Sequence, residues 1–192
     1  MADDPFPTIA TERLDTGGWV LSERTSEQVF SLSAIRVEGH TLLYEQPALR
    51  ERLRETIEEG DLPWRFFFAT RLTFVPSLAT GIGPMSVFPM VLAESRREFV
   101  TDLKERGFEG IDRGRTQPIR TDSGGRVRLT KYTARFQTVD LDTEIEAWFG
   151  VWIDKGEFRV AGGSYPVTGV PDIDLAPSSY RDELLALLRS VE

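Results

Sequence analysis

Between Phe108 and Tyr165 apolar and polar residues alternate with the period of two that a half-buried strand requires, broken only by short turn signals. Asp122-Ser123-Gly124-Gly125 closes one hairpin and Asp154-Lys155-Gly156 closes another. Four or five strands joined this way form an antiparallel meander, and a chain committed to one must bury a sheet face against something else. Ile145, Ala147, Phe149, Val151 and Ile153 supply an unbroken inward face.

The covering elements are read from the flanks. Pro47 suits the first turn of a helix with Leu49, Leu53 and Ile57 on one stripe and Gly60 at its end. Ser95-Arg96-Arg97-Glu98 has capping-box spacing, so a helix is expected to begin there, bury Phe99, Val100 and Leu103, and end at Gly107 with Phe108 closing the cap. Ser179 and Asp182 are expected to cap a last helix, whose Tyr180, Leu184, Leu187, Leu188 and Val191 form a stripe that docks on the sheet. Upstream, Trp64–Val75 is the strongest strand, with Trp64, Phe66, Phe68, Leu72 and Phe74 on one face. Val29–Val37 reads as a strand whose apolar phase changes midway, as at a bulge, with Glu38-Gly39-His40 turning it into a second strand, Leu42–Glu45. Leu78–Ala93 carries two glycines and two prolines and reads as buried chain, too short to cross a bilayer. The expected class is α+β: a largely antiparallel sheet with an amphipathic C-terminal helix and two other helices packed on it. Residues 1–18 are expected to be a flexible surface segment and 19–192 a single domain.

The helix ending at Arg106-Gly107-Phe108, the meander and the closing helix Tyr180–Val191 follow one another in an order that resembles the fold shared by the photosystem subunit PsbP and the Ran-binding Mog proteins. The likeness covers about the last 100 residues and is one of fold alone. It implies a binding module. The whole chain also looks like the uncharacterised acidic proteins of haloarchaea.

Composition narrows the chemistry. The 192 residues can bury about 70% of their extended surface, ample for a core. The absence of cysteine excludes disulfides, thiolate metal sites and thiol nucleophiles, and the single histidine, His40, excludes any site needing two imidazoles. No cofactor and no metal are expected. Twenty of the 23 basic residues are arginine, and the net charge is −8, a combination expected of a salt-adapted proteome. Met1–Pro7 has no apolar core of a signal peptide, so a cytoplasmic location away from any membrane is expected.

Three constellations merit weighing as sites. In the last hairpin, a two-residue turn at Lys155-Gly156 sets Trp152 opposite Arg159, Gly150 opposite Ala161 and Trp148 opposite Gly163. Two tryptophans flanking small residues, with Arg159 available for an anion or for cation–π contact, would stack a small anionic or aromatic ligand; the alternative is a floor against which a helix approaches closely. Arg113, Arg115, Arg126, Arg128, Lys131 and Arg135 belong to a segment with a local excess of five positive charges, suited to an anion or partner contact, or to neutralisation within the fold or across a homo-oligomer. Nucleic acid is not the expected partner of so acidic a chain. Glu144 and Glu146, two apart beside Trp148, have the composition of a carboxylate hydrolase pair, against the plainer reading of exposed strand positions. Asp140/Asp142 and Asp172/Asp174 fit turns better than a cation loop, His40 fits a solvated turn, and neither a nucleophile elbow nor a phosphate loop occurs. The leading expectation is a non-enzymatic domain that binds a protein partner or its own copy. A ligand-binding face at Trp148, Trp152 and Arg159 is the alternative.

Overall fold

At the tip of the last hairpin Lys155 and Gly156 both take positive φ, +50° and +84°, the paired left-handed conformation that matches the twist of two adjacent strands. The strands it joins set the frame. The computed structural model describes residues 4–56 and 64–192. In chain order these form helix α1 (Thr11–Thr16), strands β1 (Val20–Leu32) and β2 (Ile35–Glu45), helix α2 (Pro47–Thr56), strand β3 (Phe66–Val75), helix α3 (Pro84–Glu105), strands β4 (Glu109–Arg120), β5 (Arg126–Gln137), β6 (Asp142–Asp154) and β7 (Glu157–Thr168), and helix α4 (Pro177–Arg189). The strands make one antiparallel sheet in the order β1-β2-β3-β7-β6-β5-β4. The fold is α+β.

Strand alternation divides the core between the two sheet faces. Even-numbered β3 residues and odd-numbered β6 residues, Phe66, Leu72, Ile145, Ala147, Phe149 and Val151, meet α2 and α3 through Leu49, Leu53, Val91, Phe99 and Leu103. On the other face Phe67, Ala69, Trp148, Trp152, Ala161 and Tyr165 meet α1 and α4 through Leu14, Leu184, Leu187 and Leu188. Each large side chain buried this way contributes about 1.5–3 kcal/mol.

The hairpin register matches expectation, with Trp148 opposite Gly163, Gly150 opposite Ala161 and Trp152 opposite Arg159. So does the end of α3, where the Phe108 N–H bonds the Leu103 carbonyl at 3.0 Å across the cap. Local readings are corrected at four places. The phase change within Val29–Val37 marks a hairpin at Ser33-Ala34, with Ser33 at φ +55° and Leu32 paired with Ile35. Glu38-Gly39-His40 lies inside β2, paired on both sides, and Gly39 is there because a Cβ would stand 2.8 Å from Val29 Cγ1. Helix α3 begins at Pro84, so Ser95 is a buried mid-helix residue and not a cap, and Leu78–Ala93 is partly helical with Met85 and Met90 exposed. Proline at the first helical position needs no N–H donor, which lets the helix start at Pro84 directly after Gly83. Helix α4 begins at Pro177 after Ala176, with no side-chain cap from Ser179 or Asp182. Residues 11–16 form α1, with Leu14 buried and Thr8 exchanging backbone hydrogen bonds with Glu192. Ile57 and Gly60 lie outside the described residues. Among the described residues no helix is long and apolar enough to cross a membrane.

Candidate functional site: an acid-rimmed cleft beside helix α3

Helix α3 carries two kinds of charge on two flanks. Glu98, Asp102 and Glu105 recur at spacings of four and three, which places them on one side of the helix, while Arg97 and Lys104 fall on the other. The acidic flank overhangs strands β1, β2 and β3. There the helix stands off the sheet and leaves a cleft of about 590 Å³, within the range of small-molecule sites. Its floor is apolar: Leu43, Phe66, Phe68, Leu72, Phe149 and Val160 from the sheet, with Phe99 from the helix. Glu23 and Glu27 on β1 face the three helical carboxylates across the mouth. None of the five forms an ion pair among the described residues, and Arg106, which also lines the cleft, lies over the Phe66 ring at 4.3 Å.

Two polar features lie inside. Ser95, 5% exposed, lines the cleft, and its Oγ is buried with no hydrogen-bond partner. An unpaired buried hydroxyl costs about 1–3 kcal/mol. Thr41 and Thr70 share a hydrogen bond of 2.8 Å on the floor. At the mouth Asp102 keeps contact with solvent, yet the surrounding chain strips away enough water to push its carboxyl up to about 6; Arg106 opposes the shift, and Glu105, Glu98 and Glu27 add to it. No group of three His, Asp or Glu side chains with metal-ligating geometry occurs among the described residues.

The residues singled out from sequence stand elsewhere. Trp148 and Trp152 are 0% and 4% exposed on the opposite sheet face, in the core shared with Leu184, Leu187 and Leu188 of α4. A Cβ on Gly163 would stand 2.3 Å from the Phe66 carbonyl oxygen and 2.7 Å from Leu184 Cδ1, so the glycine is what admits the helix. One on Gly150 would stand 2.6 Å from Leu129 Cδ2. Arg159, 5% exposed, binds Glu157 at 3.2 Å, while the guanidinium facing Trp148 is that of Arg181 at 5.5 Å. Trp148 donates from Nε1 to the Tyr165 hydroxyl at 3.0 Å, and Tyr165 donates to Glu146 at 2.7 Å.

Of the six cations, Lys131 pairs with Glu146 and Arg135 with Asp142, the latter at 2.6 Å. Arg115, Arg126 and Arg128 are exposed on β4 and β5, and Arg113 faces α3 across from Tyr132. Glu144 is exposed on β6, whereas Glu146 is held by Lys131 and Tyr165. His40 is half-buried in β2 between Ser26 and Thr73, at 2.8 and 3.1 Å. The acidic cleft escaped the sequence reading although Glu98, Asp102 and Glu105 are spaced as one helix flank. Its other wall, β1, is far away in the chain.

An open seven-stranded antiparallel sheet covered by helices on both faces, with a cleft under one of them, defines an α+β domain with a built concavity. The family model described as a domain of unknown function, DUF6517, matches residues 6–192, and the chain belongs to that family. Comparison with curated proteins gives no match.

Proposed function

We propose that the protein is a binding domain whose cleft between α3 and strands β1–β3 receives a small organic cation with an apolar, preferably aromatic, body. The observation that carries this reading is the pairing of an aromatic floor with five unpaired carboxylates at its rim. An ammonium or guanidinium at the mouth would neutralise those charges, its apolar part would lie on Phe66, Phe68 and Phe99, and Ser95 Oγ would gain a partner. The arginine-rich, acidic composition supports a salt-adapted proteome as the setting. The element order of the last hundred or so residues, similar to that of PsbP and Mog proteins, supports a binding role.

A thermal-shift panel of matched cationic, neutral and anionic phenylalkyl compounds tests the reading. A ligand that binds only the folded state at 100 times its Kd adds about 2.7 kcal/mol, enough to raise Tm visibly. The cationic members are expected to raise Tm, and Asp102→Asn with Glu98→Gln to remove the rise. A panel in which neutral and cationic members act alike would count against a cation site.

A further inference from the structure

The other flank of α3 closes a second concavity of about 410 Å³ against β4 and β5, with the opposite chemistry. Arg96, Arg97 and Lys104 reach it from the helix, Arg113 from β4, and Tyr132 from β5, with Val100 and Ile111 as apolar wall. Among the described residues no carboxylate lines it. Arg97 is paired outside with Glu94 at 2.9 Å, whereas Arg96, Lys104 and Arg113 have no ion pair among the described residues. In a chain with 31 acidic residues, three clustered cations left without a carboxylate are a placement, not a shortage of partners.

Arg96 is the most telling. Its one polar contact is a 3.5 Å hydrogen bond to Thr130 Oγ1, and its Nε is buried without a partner. Burial, and then the charge of Arg113 beside it, hold its guanidinium below the ordinary arginine range. Tyr132 is 3% exposed, and its hydroxyl has no hydrogen-bond partner among the described residues. Two guanidinium forks held close, an ammonium and a phenolic donor are the complement of a tetrahedral oxyanion.

We propose that this groove is an anion site for a small dianionic oxyanion, inorganic phosphate or a phosphomonoester, gripped by Arg96 and Arg113 with Lys104 and Tyr132 as further donors. A long polyanion is disfavoured, because the groove is short and the chain around it carries net charge −8. The proposal does not rest on the cation cleft. The two concavities lie on opposite flanks of α3 and share only that helix.

The test is calorimetric titration of the full chain with inorganic phosphate and with phenyl phosphate at fixed ionic strength, for the parent and for Arg96→Gln, Arg113→Gln and Arg128→Gln. Saturable one-to-one binding of at least one probe is expected, weakened about tenfold or more by Arg96→Gln and by Arg113→Gln and unchanged by Arg128→Gln. Preference for phenyl phosphate assigns the site to an ester, and equal binding to free phosphate. Arg113 is exposed on β4, so its variant gives the answer if Arg96→Gln does not fold. No saturation by about 10 mM, equal loss in Arg128→Gln, or binding of a single-stranded oligonucleotide without binding of either probe would each overturn the proposal.

Discussion

Phe99 stacks on Phe149 with ring centroids 4.8 Å apart and planes 23° from parallel, and this contact fixes α3 as the wall between an acidic cleft and a basic groove. On one side Phe99 also meets Phe68, at 5.9 Å, and on the other Tyr132, at 5.5 Å. One buried ring thus spaces both concavities. Phe99→Ala is expected to destabilise the fold by about 3–5 kcal/mol, read from the urea midpoint, because the vacated volume lies between a rigid sheet and a helix and cannot collapse. A loss below about 1 kcal/mol would mean that α3 is held by other contacts.

Asp102 makes stability depend on pH in a defined direction. Its carboxyl titrates near 3.8 when unfolded and at about 6 when folded, so between those values the folded state binds more protons. Its contribution is therefore greatest below pH 3.8 and is lost as pH rises through 6. Asp102→Asn is expected to be more stable than the parent at pH 7.5 and to converge with it at pH 3.5, in paired urea titrations. A constant difference across that window would show that Asp102 is not desolvated.

The chain Lys131–Glu146–Tyr165–Trp148 ties the centre of the sheet together on the α4 side. Tyr165→Phe leaves the Trp148 N–H buried without its acceptor and deprives Glu146 of a donor. A loss of about 1–3 kcal/mol is expected by chemical denaturation. Retention of full stability would imply that water replaces the hydroxyl.

Gly163 sets how closely β3 and α4 approach β7. Because a Cβ there meets a backbone oxygen at 2.3 Å, which no side-chain rotation can relieve, Gly163→Ala is expected to cost about 1–3 kcal/mol or more and to lower Tm. An unchanged Tm would show that β3 and β7 separate freely at this point.

The meander and the last hairpin were legible because alternation and turn residues are local signals: Lys155-Gly156 fixed the register, and with it the Trp148–Gly163 pair. The N-terminal half was harder for physical reasons. β1 is an edge strand, largely exposed, and offers no apolar stripe over Val20–Gln28. The start of α3 was hidden by Gly83, Pro84 and Pro89, of which Pro84 favours a first turn and Pro89 lies on an exposed position of the helix. The tryptophan face was found by register, and its covering by Leu184 followed from the same small residues that suggested a stacking floor. The cleft needed the third dimension. Glu23 and Glu27 meet Glu98, Asp102 and Glu105 only because the chain crosses the sheet between them.

The measurement that tests the central claim most directly is calorimetric titration with phenethylammonium at pH 7.5, against its neutral alcohol analogue, on the parent and on the Glu98→Gln, Asp102→Asn pair. Saturable binding of the ammonium alone, at least about fivefold weaker in the double variant and weaker in the parent at pH 5 than at pH 7.5, is the predicted result. Equal binding of the ammonium and the alcohol, or an ammonium affinity indifferent to both carboxylates, would contradict it.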